Sequence, residues 1–397
     1  MSTQSGLFRF GITPPVLVQG DGGVWLGDPA AGIARHPSGL AATWDGRLDN
    51  RDDLLMRLGA AADETPGDRE IALDVFERWG IDGLRSLVGE WSLAIWDPRQ
   101  RTVHLARDYM GVRPLYYCVA RDFVSWSSDL AALVDRTGRV DALSDVFAAR
   151  YMSLRLASAI TPYDGIAAVP SGSCISIDET GRTRCDWFWR LDAGTIRYAD
   201  PRSYEEHLRA LWTEAVGARL RTDRVVWAEL SGGLDSSSVV CMADRLIRRS
   251  AVSAQGLRTV SHATLTAKDG DERPFIEEIE RRTGVRSEIV GIEAHIDDED
   301  PEWSWVSPFA VQGVGLETLR RVERGGGRIL LSGRLGDAVM GCQPDNTAAV
   351  FDDLAEGRLF TAAANLRKWS RATRRPFMET AWRLFAPLNV TPKETAI

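Results

Sequence analysis

The spacing of apolar and polar residues changes character near residue 203. Before it, short alternating runs dominate: residues 24–28, 40–44, 90–96, 101–106 and 114–119 read as strands closed by turn residues. Between them, Leu54, Leu55 and Leu58 recur at helical spacing behind Asn50, a candidate N-cap. Ile71, Leu73, Val75 and Phe76 make a second helix that Gly80 should stop. Strands and helices mixed in this way predict a layered α+β domain. A polar stretch over residues 192–203, with Gly194 and Pro201, is the expected linker, which divides the chain into domains 1–192 and 203–397.

After the linker the order becomes strand, glycine-rich turn, helix, strand. Residues 224–230 lead into Ser231-Gly232-Gly233, and the helix that follows carries Val239, Val240, Ala243, Leu246 and Ile247 on one face. Residues 259–265, 286–290 and 328–331 are further strands. Pro274 opens a helix with Phe275, Ile276 and Ile279 that ends at Gly284. This alternation predicts a parallel, doubly wound α/β sheet. Residues 360–385 read as mostly helical, with a break at Pro376.

Length and composition narrow the function classes. A chain of 397 residues can bury two ordinary cores, and 44% hydrophobic with 26% charged residues describes a globular protein. The net charge of -8 argues against a nucleic-acid surface. No apolar run is long enough to cross a bilayer, and the N-terminus lacks the basic head and apolar stretch of a signal peptide, so a cytoplasmic location is expected. Cys118, Cys174, Cys185, Cys241 and Cys342 are scattered without a CxxC pair, so small buried thiols are expected rather than disulfides or a zinc site. The acidic run at residues 297–300 reads as a solvated loop.

The strongest chemical signal is Ser231-Gly232-Gly233-Leu234-Asp235-Ser236-Ser237-Ser238, between a strand and a helix. Glycines there let backbone N–H groups turn toward an anion, and the helix N-terminus adds partial positive charge. Ser231 and Ser236 can donate hydroxyls to phosphate oxygens. An acid inside such a loop would repel phosphate unless it holds a cation, so Asp235 implies Mg²⁺. The loop has no lysine and no GxxxxGK[ST] pattern, so it is not a Walker A loop.

The segment resembles the SGGxDSS pyrophosphate loop of the N-type ATP pyrophosphatases. The turn Ser332-Gly333-Arg334-Leu335-Gly336-Asp337 is similar to the SGxGxD segment that faces that loop in asparagine synthetases. The resemblance implies that ATP is cleaved between its α- and β-phosphates and that AMP passes to a carboxylate. It implies that Asp235 and Asp337 hold Mg²⁺ and are the catalytic carboxylates. Leu230, Ser231, Gly232, Gly233, Asp235, Ser236, Ser237, Thr264, Ser332 and Gly333 would contact the nucleotide. Asp271 and Glu272 resemble an acidic pair of the family, with Glu272 toward the substrate; charge at a helix start explains them equally well.

The first half carries a resemblance of its own. Residues 45–50, 87–97, 107–117 and 127–130 are similar to the class II glutamine amidotransferase domain, an αββα-layered fold. That domain uses an N-terminal cysteine and an asparagine at its oxyanion turn. Here Ser2 and Asp45 stand at those places, so glutamine hydrolysis is expected to be absent. Relatives with such a half, the β-lactam synthetases and lasso-peptide cyclases, use an amine already on the substrate. Residues 45–54 look most like the lasso-cyclase branch.

Relative to that family the chain is expected to be C-terminally shortened, with neither Lys368 nor Lys393 matching the family's lysine, and a partner chain could supply the missing region. Three readings follow: a cyclase acting on a precursor-peptide carboxylate, an asparagine synthetase acting on a small-molecule carboxylate, or a non-catalytic scaffold.

Overall fold

The computed structural model describes residues 4–10, 33–59, 66–153, 159–191, 194, 196–264, 272–295, 313–336 and 347–385. The strand expected at residues 24–28, Ser2, Cys342 and the acidic run at 297–300 lie outside them. The chain divides into two units: Met1–Asp223 with Ala251–Ser253 and Val290–Gly325, and Arg224–Ser250 with Ala254–Ile289 and Gly326–Ile397.

The first unit opens with β1 (Ser5–Arg9), β2 (Ala34–Arg35), β3 (Ala41–Leu48), α1 (Arg51–Leu58), α2 (Asp68–Gly83), β4 (Gly89–Asp97) and β5 (Thr102–Arg107). It continues with β6 (Tyr116–Val119), β7 (Phe123–Ser127), α3 (Leu130–Thr137), α4 (Asp145–Met152), β8 (Ala167–Ala168), β9 (Ser173–Asp178), β10 (Thr183–Trp187) and α5 (Pro201–Arg219). The strands form two antiparallel sheets, ordered β1-β7-β6-β8 and β10-β9-β5-β4-β3-β2.

β4 shows why the layers stack. Nearly all of its residues are buried, so both of its faces are covered. Trp91, Leu93 and Ile95 share a cluster with Leu54 of α1 and Ile71, Val75 and Phe76 of α2. Ala94 and Trp96, on the opposite face, share one with Phe8, Val124 and Trp126 of the other sheet. On that sheet's outer side, Tyr116 and Cys118 meet Leu130, Leu133 and Val134 of α3. The order is helices, sheet, sheet, helix, the layered arrangement expected.

Two local expectations meet different outcomes. α2 does leave helical geometry at Gly80, whose φ is 63°. Asn50 does occupy the N-cap of α1, yet its side chain caps nothing. Its amide donates to the Ser86 carbonyl at 2.9 Å and accepts from Val88 N–H at 3.0 Å, because the strand start beside it offers unpaired backbone groups.

The Arg107-Asp108 pair organises the segment before β6. Asp108 is fully buried and accepts from the N–H groups of Trp91 (3.1 Å), Met110 (2.8 Å), Gly111 (2.7 Å) and Val112 (3.1 Å). Arg107 donates to the carbonyls of Arg113 (2.9 Å), Val169 (2.7 Å) and Gly111. Together they satisfy a turn that would otherwise bury orphan polar groups.

The stretch expected as a linker, residues 192–203, runs into α5, whose N-terminus is capped by Asp200 and started by Pro201. Its C-terminal end is tied into the first unit. Arg47 donates to the Ala218 carbonyl, Arg219 pairs with Asp49 and with Glu90 (3.2 Å), and Arg221 pairs with Asp68 (3.1 Å). A guanidinium on terminal helix carbonyls satisfies the orphan acceptors and suits the helix dipole.

The second unit holds β11 (Val225–Glu229), α6 (Leu234–Arg248), β12 (Gly256–Ala263), α7 (Arg273–Thr283) and β13 (Ser287–Gly291). In chain order there follow α8 (Ile292–His295) and α9 (Val314–Arg324), which group with the first unit, and then, in the second, β14 (Leu330–Leu331), α10 (Thr347–Ala355), α11 (Leu359–Ala372) and α12 (Phe377–Phe385). The sheet order is β13-β12-β11-β14, with β11 parallel to both neighbours. Val226, Trp227 and Ala228 of β11 are buried, as are Val239, Val240, Ala243 and Leu246 on the expected face of α6. α7 ends at Gly284, whose φ is 70°, and buries Ile276. Phe275, expected on its apolar face, is instead 64% exposed. α11 and α12 flank Pro376, as expected, and Val350, Ala362, Leu366 and Trp369 form a separate small core. Among the described residues no helix is long and apolar enough to cross a membrane.

His104 of β5 supplies a pH test of the first unit. It is buried against Phe76, with Nδ1 3.0 Å from Ser176 Oγ and Nε2 without a partner. Burial pushes its pKa down to about 4, against the opposing pull of Asp97. The unfolded chain therefore binds a proton near pH 6.5 that the folded one refuses until about 4. Its contribution is complete above pH 6.5 and is lost as pH falls toward 4, at about 1.4 kcal/mol per pH unit. Thermal melts across that window should show wild type losing stability faster than His104→Asn; parallel curves would remove His104 as the source.

Candidate functional site

β11 delivers the chain to the loop one residue past its end, where Leu230 N–H still bonds the Val260 carbonyl of β12 at 2.8 Å. The backbone then turns at Gly232, whose φ is 81° and where a Cβ would lie 2.6 Å from Phe275 Cβ. Only glycine meets both demands. Gly233 is the N-cap of α6, so Asp235 and Ser236 fall in the first helical turn, where N–H groups are unpaired and the dipole is positive.

The serines are arranged as a set. Ser236 Oγ accepts from Ser231 N–H at 3.1 Å and lies 3.0 Å from Ser231 Oγ. Gly233 N–H reaches Ser231 Oγ at 3.3 Å. Ser238 turns back to the Leu234 carbonyl at 2.7 Å. Ser237 Oγ is buried with no hydrogen-bond partner among the described residues.

β14 delivers the second turn. Gly336 N–H bonds the Gly333 carbonyl at 3.1 Å, and Leu335 between them has a φ of 65° although it is not glycine. Such a conformation costs on the order of 1 kcal/mol. The two turns touch: a Cβ on Gly336 would lie 2.2 Å from the Asp235 carboxyl carbon, and one on Gly333 would lie 2.6 Å from Ser236 N. Ser231, Gly232, Gly233, Asp235, Ser236, Ser237 and Gly333 are thus gathered around one helix N-terminus, with Ser332 at the start of the facing turn. Asp337 lies outside the described residues. Thr264 sits one residue past β12, and Glu272 is the N-cap of α7 without a capping bond.

A glycine cradle, the clustered hydroxyls of Ser231 and Ser236 and a helix N-terminus fit a phosphate chain, and the Asp235 carboxylate fits a cation accompanying it.

Three residues at this edge escaped the sequence reading. Glu229 accepts from Ser332 Oγ at 2.6 Å and from Arg334 Nη2 at 3.2 Å. His262, two residues past Val260 on β12, has its pKa lowered by burial and pulled back up by Glu229. The available signal was an acid ending an otherwise apolar strand.

In the first unit, Asp45 is buried on β3 with Arg113 Nη1 3.9 Å from its Oδ1. Cys118 is buried on β6 behind α3 and is not an exposed nucleophile.

A first unit with paired antiparallel sheets and a second with a parallel sheet ending in two glycine turns define a two-domain α/β protein with an amidotransferase-like N-terminal half. A family model for the glutamine amidotransferase domain matches residues 36–189, and one for asparagine synthase matches residues 207–395. The chain belongs to the asparagine synthetase family. It is 28% identical over 219 residues to the glutamine-hydrolyzing asparagine synthetase 3 of Bacillus subtilis (strain 168), covering 50% of this chain and 33% of that protein. It is 29% identical over 185 residues to amidase chry2 of Gibberella zeae, covering 46% of this chain and 27% of that one. These matches span a third or less of the relatives' own lengths. Among solved structures, the glutamine phosphoribosylpyrophosphate amidotransferase of B. subtilis aligns over 77% of this chain and 73% of its own, at 14% identity and a TM-score of 0.30, too weak a likeness to carry an argument.

The contact between the turns predicts opposite effects at neighbouring positions. Gly333→Ala, which drives a Cβ into the α6 backbone, should destabilise the second unit by about 1–3 kcal/mol. Leu335→Gly should stabilise it by roughly 0.5–1 kcal/mol, since it releases a left-handed leucine that is 71% exposed. Urea unfolding of both variants checks the signs.

Proposed function

We propose that the protein is an ATP-dependent carbon–nitrogen ligase. The single observation that carries this reading is the convergence of two glycine turns on Asp235 at the C-terminal edge of a parallel sheet, where ligands bind in such folds. The asparagine synthase family match supports it.

The N–H groups at the start of α6 and the hydroxyls of Ser231, Ser236 and Ser237 would hold the phosphates of ATP. Asp235, with Asp337 as the second carboxylate, would hold Mg²⁺, which neutralises charge on the departing pyrophosphate. A carboxylate oxygen of the substrate attacks the α-phosphorus, the bond to the β-phosphate oxygen breaks, and pyrophosphate leaves. An amine then attacks the acyl carbon; AMP leaves with the bonding pair and the amine loses a proton. Leu230 and Thr264 would flank the base, Ser332 and Gly333 the phosphates, and Glu272 would face the substrate.

The amine is already part of the substrate, most simply the other end of a precursor peptide, as in lasso-type macrocyclisation. The observation favouring this is Asp45, buried beside Arg113 where an oxyanion turn would need a neutral donor. Holding both reacting ends in one molecule removes the entropy of a bimolecular encounter. The second reading is asparagine synthesis from aspartate and ammonia, favoured by the resemblance to glutamine-hydrolyzing asparagine synthetase 3.

Calorimetry should show MgATP binding to wild type, with affinity reduced by about 100-fold or more in Asp235→Ala at unchanged thermal stability. Equal binding by the two proteins would remove Asp235 from the site. Incubation with aspartate, ammonium and MgATP should yield no asparagine; its appearance would move the conclusion to the second reading.

A further inference from the structure

The strand that feeds the first turn also carries the residue that holds the second. β11 pairs Ala228 with Leu331 of β14, so one residue further on, Glu229 stands beside Ser332. Both of its carboxylate oxygens are engaged there, Oε2 by the Ser332 hydroxyl at 2.6 Å and Oε1 by the Arg334 guanidinium at 3.2 Å. Ser332 Oγ also accepts from Arg334 N–H at 3.1 Å, so the first residues of the turn close on one another as well as on the acid. The Glu229 side chain is only 17% exposed, whereas Arg334 is 72% exposed. The shielded half of the latch, a charge-assisted bond to serine, is therefore its stronger half, and the arginine mainly cancels a negative charge beside an anion site.

We propose that Glu229 is a positioning residue whose latch on Ser332 and Arg334 holds the second glycine turn against Asp235, so that the two turns present one phosphate-binding surface. Two features of the turn require such a hold. Leu335 is in left-handed geometry, which persists only where its surroundings over-determine it. Gly333 and Gly336 lie closer to Ser236 and Asp235 than any residue with a Cβ could, and that approach is lost if the turn swings away from β11. The inference rests on the nucleotide reading for its ligand but not for the latch itself, so the two can fail separately.

The experiment uses the full chain as wild type, Glu229→Ala and Glu229→Gln. Amide hydrogen exchange across residues 330–336 is followed without nucleotide, and MgATP binding is measured by calorimetry. Glu229→Ala should speed exchange of the Arg334 and Gly336 amides about fivefold or more. It should weaken MgATP binding about tenfold while leaving the melting temperature close to wild type. Glu229→Gln, which keeps an acceptor for Ser332 but loses the charge, should fall between, and it carries the test if Glu229→Ala does not fold. Unchanged exchange in both variants, or faster exchange with unchanged MgATP affinity, would overturn the proposal. Failure of wild type to bind MgATP would overturn the nucleotide reading and the ligand role built on it, with exchange alone then deciding whether the latch exists.

Discussion

The second unit depends on one close approach, the backbone of the turn after β14 lying directly on the first helical turn of α6. Three things make it possible. β11 lies between β12 and β14 and runs parallel to both, so all three strands release their chains at the same edge. The second turn meets the helix through Gly333 and Gly336, which lack side chains. The first turn bends back through a positive φ that only glycine tolerates well, which aims Asp235 and Ser236 at the incoming turn instead of past it. If any one is removed, the carboxylate, the hydroxyls and the free N–H groups remain but no longer face the same volume. The chemistry of the site is therefore a property of the strand register before it is a property of the individual side chains.

The first unit rests on a different principle. Its layers are held by a strand buried on both faces, and its turns by charges placed where backbone groups would otherwise be orphaned. Asp108 gathers N–H groups and Arg107 gathers carbonyls; Arg47 takes a terminal carbonyl of α5. None of these interactions needs a nucleophile at the N-terminus. The amidotransferase-like architecture therefore stands independently of the chemistry usually associated with it, and a buried Asp45 is compatible with an ordered β3 because Arg113 lies within reach of its charge.

What the sequence made legible follows from how local each signal is. The loop at residues 231–238 was readable because a strand, two glycines, an acid and serines fall within a few positions, and each has a backbone reason to be there. The interruption of α2 at Gly80 and the break at Pro376 were readable for the same reason. Asn50 stands at the N-cap as the pattern suggests, but its side chain bonds backbone groups of Ser86 and Val88, neighbours in space that no local pattern reveals. Phe275 was misread because the periodicity that places it on α7 says nothing about the loop crossing above it. Glu229 was missed altogether: its partner Ser332 is 103 positions away, and an acid at a strand end ordinarily means only that the strand has reached solvent.

On the proposed function, the two units bear on one question, the origin of the amine. A site that adenylates a carboxylate creates an acyl group that water can also attack, so the amine must be delivered faster than water arrives. An enzyme that liberates ammonia solves this by making the amine beside the site of its use. The buried carboxylate of Asp45, at the place the resemblance gives to the oxyanion turn, would oppose that solution, since negative charge there destabilises the oxyanion through which an amide is hydrolysed. Tethering the amine to the acyl group achieves the same end by raising its effective concentration, with nothing required of the N-terminal half beyond its fold. Asp45 beside Arg113 in the first unit, and two glycine turns meeting at Asp235 in the second, are what an intramolecular acceptor would allow.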